Sequence, residues 1–455
     1  MFCSSRIFCI KPYRLPRTLL FLLPLFLYGC NSDTDMVTAD TVFRYHQSQS
    51  SAASDSRQQS GTAVFIDYSG SVYEGVKQAN TAIDELLAIV EGSSTTYYRV
   101  GERVPQEISI TEPRNELRVP GNYREKTSLL REALQMITDK PRQSIFITDF
   151  ELDENQRRKV IVDGNECVTG ISLDAWAKSD FKRWLSAGHR IDFFVHPYGN
   201  DQRLYIIVFT PETAVPDPTA VINRFKPGEQ LEHVAISLNL PALEPGYLQT
   251  TEKGFPASYP YFDTYNHTAG KHSEVYMIKR DDFLTDYIAN PDIAQEEKRF
   301  LQKLYLENLP LLVESITLSA KVQDVSTNVA GLANMAWAVS AEDSAIYRQQ
   351  AGKQPYPVNN LFDARLSADR EVSLGFGTGA DPYSVNSQQT FKIEIVPENI
   401  EWQSLSAYEN LLKWRPKNAC FMAPPLYKSI TEAVNEVQAG MRPATLYTYY
   451  LHFYE

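Results

Sequence analysis

Asp67, Ser69 and Ser71 alternate in Asp67-Tyr68-Ser69-Gly70-Ser71, directly after the apolar run Thr62-Ala63-Val64-Phe65-Ile66. An Asp and two hydroxyls so spaced, with Gly between the hydroxyls, bring three hard oxygen groups to one point above a buried strand. Such oxygens suit Mg2+, Mn2+ or Ca2+ rather than zinc. The pattern is short enough to arise by chance, so context must carry the weight. Two further segments supply it. Lys126-Thr127-Ser128-Leu129 precedes the helix-patterned Leu130 to Ile137, and Ser144-Ile145-Phe146-Ile147-Thr148-Asp149 ends a second apolar strand. Thr127 and Asp149 join the candidate set on that basis.

Together the three segments resemble the metal-ion-dependent adhesion site of the von Willebrand factor type A (VWA) family. In that family the order is D-x-S-x-S, a lone Thr, then an Asp that commonly sits in T-D-G. Each falls at the carboxyl end of a strand or in the loop that follows. Asp67, Ser69, Ser71, Thr127 and Asp149 match in order. Two departures concern loop geometry more than metal chemistry: Phe150 stands where the family often has Gly, and no Gly-Gly or Gly-Arg precedes Thr127. The resemblance covers about residues 60–226.

It implies an α/β fold, a doubly wound sheet with flanking helices. It also implies a divalent cation, Mg2+ first with Mn2+ and Ca2+ as alternatives. Ser69 and Ser71 would bind the ion through their hydroxyls, Thr127 directly or through water, and Asp67 and Asp149 mostly through water. The remaining ligand would be a carboxylate from a protein partner.

The elements that must position these residues are legible in the periodicity. Val72, Val76, Ala79, Ile83, Leu86, Leu87 and Val90 recur at helical steps. Strands are predicted at Tyr97–Val100, Ile108–Ile110, Ile145–Ile147, Ile191–Val195 and Leu204–Phe209, with a helix over about Leu173–Leu185. Ligands of open α/β sheets gather at the carboxyl ends of strands, where all three segments fall. Val160-Ile161-Val162-Asp163-Gly164-Asn165 reads as a hairpin with an Asp-Gly turn, either helping to choose a partner or decorating an edge. From about Pro227 the alternation of Ile316, Leu318, Ala320 and Val322, and of Phe391, Ile393 and Ile395, predicts half-buried strands. Helices are predicted at Ile293–Leu309 and Ile430–Val437. This makes 227–455 a β-rich domain, α+β or sandwich-like.

The chain has 455 residues, 43% hydrophobic and 22% charged, with a formal charge of −12. That composition supports two domains with ordinary cores. The acidic balance argues against a nucleic-acid partner, which needs a basic face. Arg6, Lys11, Arg14 and Arg17 precede the apolar Leu19 to Leu27, and Leu27-Tyr28-Gly29-Cys30 follows. Residues 1–29 thus read as an export signal, and the end of it resembles a lipobox in which Cys30 is acylated and anchors the chain to a membrane. An uncleaved anchor and cleavage without lipid are the alternatives. Asn31 beyond Cys30 resembles the sorting context of bacterial outer-membrane lipoproteins. The polar residues of 30–59 read as a disordered tether.

Cys167 and Cys420 could pair or stay as lone thiols. His267, His272 and Glu274 are read as surface residues rather than a zinc site. There is no Walker A loop, G-x-S-x-G or H-E-x-x-H. Position 69 is Ser where a haloacid-dehalogenase-type phosphoryl-transfer site wants a second Asp. The expected function is therefore non-enzymatic: metal-dependent binding of a protein partner by an envelope lipoprotein. The alternatives are a structural envelope subunit with an incidental metal site and, behind it, a metal-dependent hydrolase.

Overall fold

The computed structural model describes the chain from Val37 onward, excluding 51–60, 151–157, 212–219, 241–261, 265–274, 292–298, 413–424 and a few isolated positions. The predicted leader, Cys30, His267, His272, Glu274, Cys420 and the Cys167 side chain lie outside the described residues. Among the described residues no helix is long and apolar enough to cross a membrane.

The tether assigned to 30–59 is corrected over Ala39–Ser50, which is helix α1. Val42 and Tyr45, at helical spacing, are buried with Val37 against Val275, Val325, Val329, Ala333 and Tyr450. Tyr45 meets the Tyr450 ring edge-on with centroids 6.1 Å apart. Averaged composition hides this helix. A short polar segment needs only two or three apolar side chains on one face when a ready surface receives them.

The elements of the first sheet follow in chain order. They are β1 (Thr62–Asp67), α2 (Val72–Gln78), α3 (Asn80–Val90), β2 (Thr95–Val100), β3 (Gln106–Ile108), α4 (Pro113–Leu117), α5 (Leu130–Asp139), β4 (Gln143–Thr148), the hairpin β5 (Arg158–Val162) and β6 (Asn165–Thr169), α6 (Ile171–Ser186), β7 (Arg190–Tyr198), β8 (Gln202–Thr210), α7 (Val221–Arg224) and β9 (Glu232–Ile236). The segment read as one helix over 72–90 is two, divided at Ala79. Seven strands form one sheet in the order β3-β2-β1-β4-β8-β7-β9. β1 lies parallel to both β2 and β4, with Phe65 opposite Phe146. The sheet is mixed, because β8 returns from β7 as a hairpin and inserts antiparallel between β4 and β7.

Period-2 alternation sends β1 side chains to opposite faces, and both faces are buried. Ala63 and Phe65 enter one core with residues of α5 and α6. Val64 and Ile66 enter the other with residues of α2 and α3. Helices thus cover both faces, as an α/β fold requires. β5 and β6 pair antiparallel with Val162 opposite Asn165, the predicted hairpin.

The remaining elements are β10 (Phe262–Thr264), β11 (Val275–Lys279), α8 (Arg280–Asp282), β12 (Arg299–Tyr305), β13 (Val313–Asp324), α9 (Ser326–Met335), α10 (Ala341–Ala351), β14 (Tyr356–Val358), β15 (Phe362–Leu366), β16 (Glu371–Phe376), β17 (Thr390–Trp402), α11 (Pro425–Gly440) and β18 (Tyr447–Tyr454). A six-stranded sheet, β10-β11-β18-β17-β13-β14, faces a three-stranded one, β12-β16-β15. Ile316, Leu318, Val322, Phe391, Ile393 and Ile395 fill the core shared with Phe362, Val372 and Leu374.

The helix predicted at Ile293–Leu309, whose beginning lies outside the described residues, is corrected over Arg299–Tyr305 by strand β12. Its pairing with β16 shifts register between Leu301 and Leu304. That irregularity gives apolar residues a three-residue step and so imitates a helix. The division expected at 226/227 does not separate the sheets either. β9 pairs with β7 beyond it, and Leu426, Ile430, Ala433 and Val434 of α11 join the core under α6. Lys178 and Lys182 of α6 reach Glu436 of α11 at 3.0 and 2.6 Å.

Candidate functional site

β1 and β4 are parallel neighbours, so their carboxyl ends lie side by side and deliver Asp67 and Thr148-Asp149 to one edge of the sheet. Asp67 is fully buried, and Ser69 and Asp149 nearly so. Beyond β1 the chain turns back on the Asp67 carboxylate: the Ser69 backbone N donates to Asp67 Oδ1 at 2.9 Å. This is an Asx-type turn, in which a short polar side chain closes the loop it begins.

The turn sets the two serine hydroxyls against each other, with Ser69 Oγ and Ser71 Oγ 3.4 Å apart. Ser71 precedes α2 at the N-cap position, yet its side chain makes no capping hydrogen bond. The hydroxyl faces Ser69 instead. Tyr198 OH donates to the Ser71 carbonyl at 3.0 Å and fixes the far side of the loop.

Asp67 is the hub. Ser128 Oγ donates to its Oδ1 and Thr148 Oγ1 to its Oδ2, the latter at 2.8 Å. Burial pushes the Asp67 carboxyl up, while hydrogen bonds from Ser128, Ser69 and Thr148 pull it down. Oδ1 accepts two hydrogen bonds and Oδ2 one, so the carboxylate organises its neighbours more than it offers lone pairs outward.

A second loop closes the site from the side. Ser69 forms a parallel bridge with Glu125, and Gly70 N donates to the Glu125 carbonyl at 3.3 Å. Glu125 in turn pairs with Arg99 at 3.3 Å, and the Arg99 guanidinium lies over the Tyr68 ring, 4.6 Å from its centroid. Burial raises the Tyr68 hydroxyl to about 12, which keeps it neutral. Gly101 has to be Gly for this arrangement, since a Cβ there would stand 2.6 Å from Glu125 Cγ.

Of the five residues singled out in the sequence, Asp67, Ser69 and Ser71 are joined by these contacts. Asp149 is buried one position beyond Thr148, whose hydroxyl holds Asp67. Thr127 is half-buried, and the hydroxyl reaching Asp67 from its loop belongs to its neighbour Ser128. Ser128 and Thr148 are the residues that sequence reasoning missed. Each is a hydroxyl adjacent to a named candidate, and that adjacency was the available signal.

Phe150, directly after Asp149, keeps a left-handed backbone, φ 54, which a glycine adopts without strain. Its ring is buried against Phe146 and Tyr205, with centroids 5.9 and 5.7 Å away. Core packing compensates a conformation that costs a non-glycine residue about 1 kcal/mol.

The donor set suits a hard cation. Two oxygens at right angles on an ion with bonds of about 2.1–2.4 Å stand about 3.0–3.4 Å apart, which the serine pair satisfies. Among the described residues no three His, Cys, Asp or Glu side chains form a metal-binding group, so ligation here would rest on hydroxyls with Asp67 and Asp149. No family model, curated protein or solved structure matches this chain.

Proposed function

We propose that the carboxyl-end edge of β1 and β4 is a VWA-like, metal-dependent protein-binding site on a lipid-anchored envelope protein. The observation that carries this reading is the facing pair Ser69 Oγ and Ser71 Oγ, 3.4 Å apart, held by a buried Asp67 whose own oxygens are engaged. Ser69 and Ser71 would hold the cation, Asp67 and Asp149 would act through water, and Thr127 or Ser128 would complete the hydroxyl set. A cation held mostly by neutral oxygens stays electrophilic and accepts a carboxylate as its remaining ligand. The chain's part is to fix the hydroxyls: the Asx turn sets Ser69, Tyr198 braces Ser71, and Ser128 and Thr148 lock Asp67. No general base or nucleophile is required, and the role is binding. The membrane link would be acylated Cys30, with the outer membrane as the location.

A structural scaffold role is the second reading. Its support is the Asp67 network itself, in which three donors from two loops and β4 meet one buried carboxylate, as a purely structural tie between strand ends also does.

Titrating Mg2+, Mn2+ and Ca2+ calorimetrically into the purified protein, with Asp67→Ala and Ser69→Ala beside it, separates the two. Binding by wild type and loss in both variants supports the metal site. Metal-independent folding and association with no heat of binding supports the scaffold.

A further inference from the structure

The loops beside the serine pair carry Arg103, Arg124 and Lys126, all exposed. Arg124 and Lys126 flank Glu125, the residue bridged to Ser69. Glu102 N donates to Glu125 Oε2 at 3.3 Å, and Lys126 N donates to Glu102 Oε1 at 3.2 Å, which ties the loop that carries Arg103 to the loop of Arg124 and Lys126. The nearby acids are engaged: Glu125 pairs with Arg99 and Glu102 accepts from the Lys126 backbone. Arg103, Arg124 and Lys126 themselves enter no ion pair among the described residues.

In a chain of net charge −12, a rim with three unpaired cations beside a carboxylate-accepting site has a direction of selectivity. Rim charges steer encounter and orient a partner, and clusters act together within a Debye length of about 10 Å at 0.1 M salt. We infer that the partner presents not a single carboxylate but an acidic segment, with one acid directed to the serine pair and its neighbours over Arg103, Arg124 and Lys126. The inference rests on the carboxylate-binding reading above and deepens it by naming the partner chemistry.

The probe is fluorescein-labelled hexaglutamate, with hexaglutamine as control, read by fluorescence anisotropy on the full-length chain with Mg2+ or with chelator. The variants are Arg103→Gln/Arg124→Gln/Lys126→Gln and Ser69→Ala/Ser71→Ala, each checked for native circular dichroism. Wild type should bind hexaglutamate over hexaglutamine and lose affinity as salt rises. The triple variant should bind it about tenfold more weakly, at a few-fold per exposed charge. Equal affinity of wild type and triple variant, or no binding by wild type, overturns the acidic-segment proposal. Rim-dependent binding that ignores both chelator and the serine variant supports the rim and overturns the metal reading. Binding that needs Mg2+ and the serines but ignores the rim does the reverse.

Discussion

In the seven-stranded sheet, the buried polar side chains Asp67, Ser69, Ser128, Thr148 and Asp149 gather where β1 and β4 end. In the six-stranded sheet, polar groups close on one another instead: Thr390 Oγ1 meets His452 Nδ1 at 2.8 Å, both fully buried. Asn328 donates to the carbonyls of Ala351 and Lys353 at 3.0 and 2.6 Å and ties α9 to the end of α10. The second arrangement ties strand to strand and helix to helix inside the fold. The first converges on one carboxylate and leaves its hydroxyl pair at a partly open edge, where Ser71 and Thr127 are half-exposed and Gly70 is exposed. Buried polarity is a sign of function only when it opens onto solvent with oxygen groups left to offer.

The largest expected effect tests the apolar support of the first region. Phe150→Ala should destabilise by about 3–5 kcal/mol, the usual cost of emptying a buried aromatic site. Phe150→Gly should cost less than Phe150→Ala because the φ of 54 no longer strains the backbone. Urea unfolding followed by tryptophan fluorescence orders the two, and the reverse order would remove strain from the account of this turn.

Next, Asp67→Ala orphans the donors of Ser69, Ser128 and Thr148 and should cost about 2–3 kcal/mol, together with all cation binding. Thr390→Val, in the closed pair of the other sheet, should cost about 1–2 kcal/mol and leave cation binding intact. A Thr390→Val effect on cation binding would erase the contrast between the regions.

Ser69→Ala/Ser71→Ala should sharpen it from the other side. The Ser69 Asx-turn donor is the backbone N, which survives the substitution, so stability should change by under about 1 kcal/mol while cation affinity disappears.

The smallest expected effect lies at the join of the two regions. Hydrogen bonds from Lys182 and Lys178 depress the Glu436 carboxyl below its ordinary value of 4.5. Its contribution is therefore full above that ordinary value and is lost as pH falls through the folded one. Being exposed, the pair should matter little: Glu436→Gln should shift Tm by under about 2 °C at pH 7 and converge with wild type at acidic pH. A shift that stays constant with pH would show that the charge is not its source.

Much of the first sheet was legible because parallel central strands must be apolar on both faces, and β1 and β4 are near-continuous apolar runs. Two of the corrections, at α1 and at β12, have a common cause. In α1 the buried face is short, Val42 and Tyr45 with partly buried Ala39 and Phe43, and in β12 a register shift lends Leu301 and Leu304 a helical step. A local pattern reports its partner surface only when it is regular and long. The insertion of β8 between β4 and β7 was likewise unreadable, since the order of strands in a sheet is a long-range choice that local periodicity does not encode. At the site, Asp67, Ser69 and Ser71 were legible as a contiguous motif. Ser128 was not, because which of two adjacent hydroxyls turns inward depends on the loop that Leu129 N anchors to the Gly101 carbonyl at 2.9 Å.

The central claim is that the serine pair holds a divalent cation, and Mn2+ electron paramagnetic resonance tests it most directly. Adding wild-type protein to a limiting Mn2+ solution should attenuate the six-line signal of the free ion, while Ser69→Ala/Ser71→Ala should leave that signal at full height. Equal attenuation by both proteins, or by neither, would contradict the account.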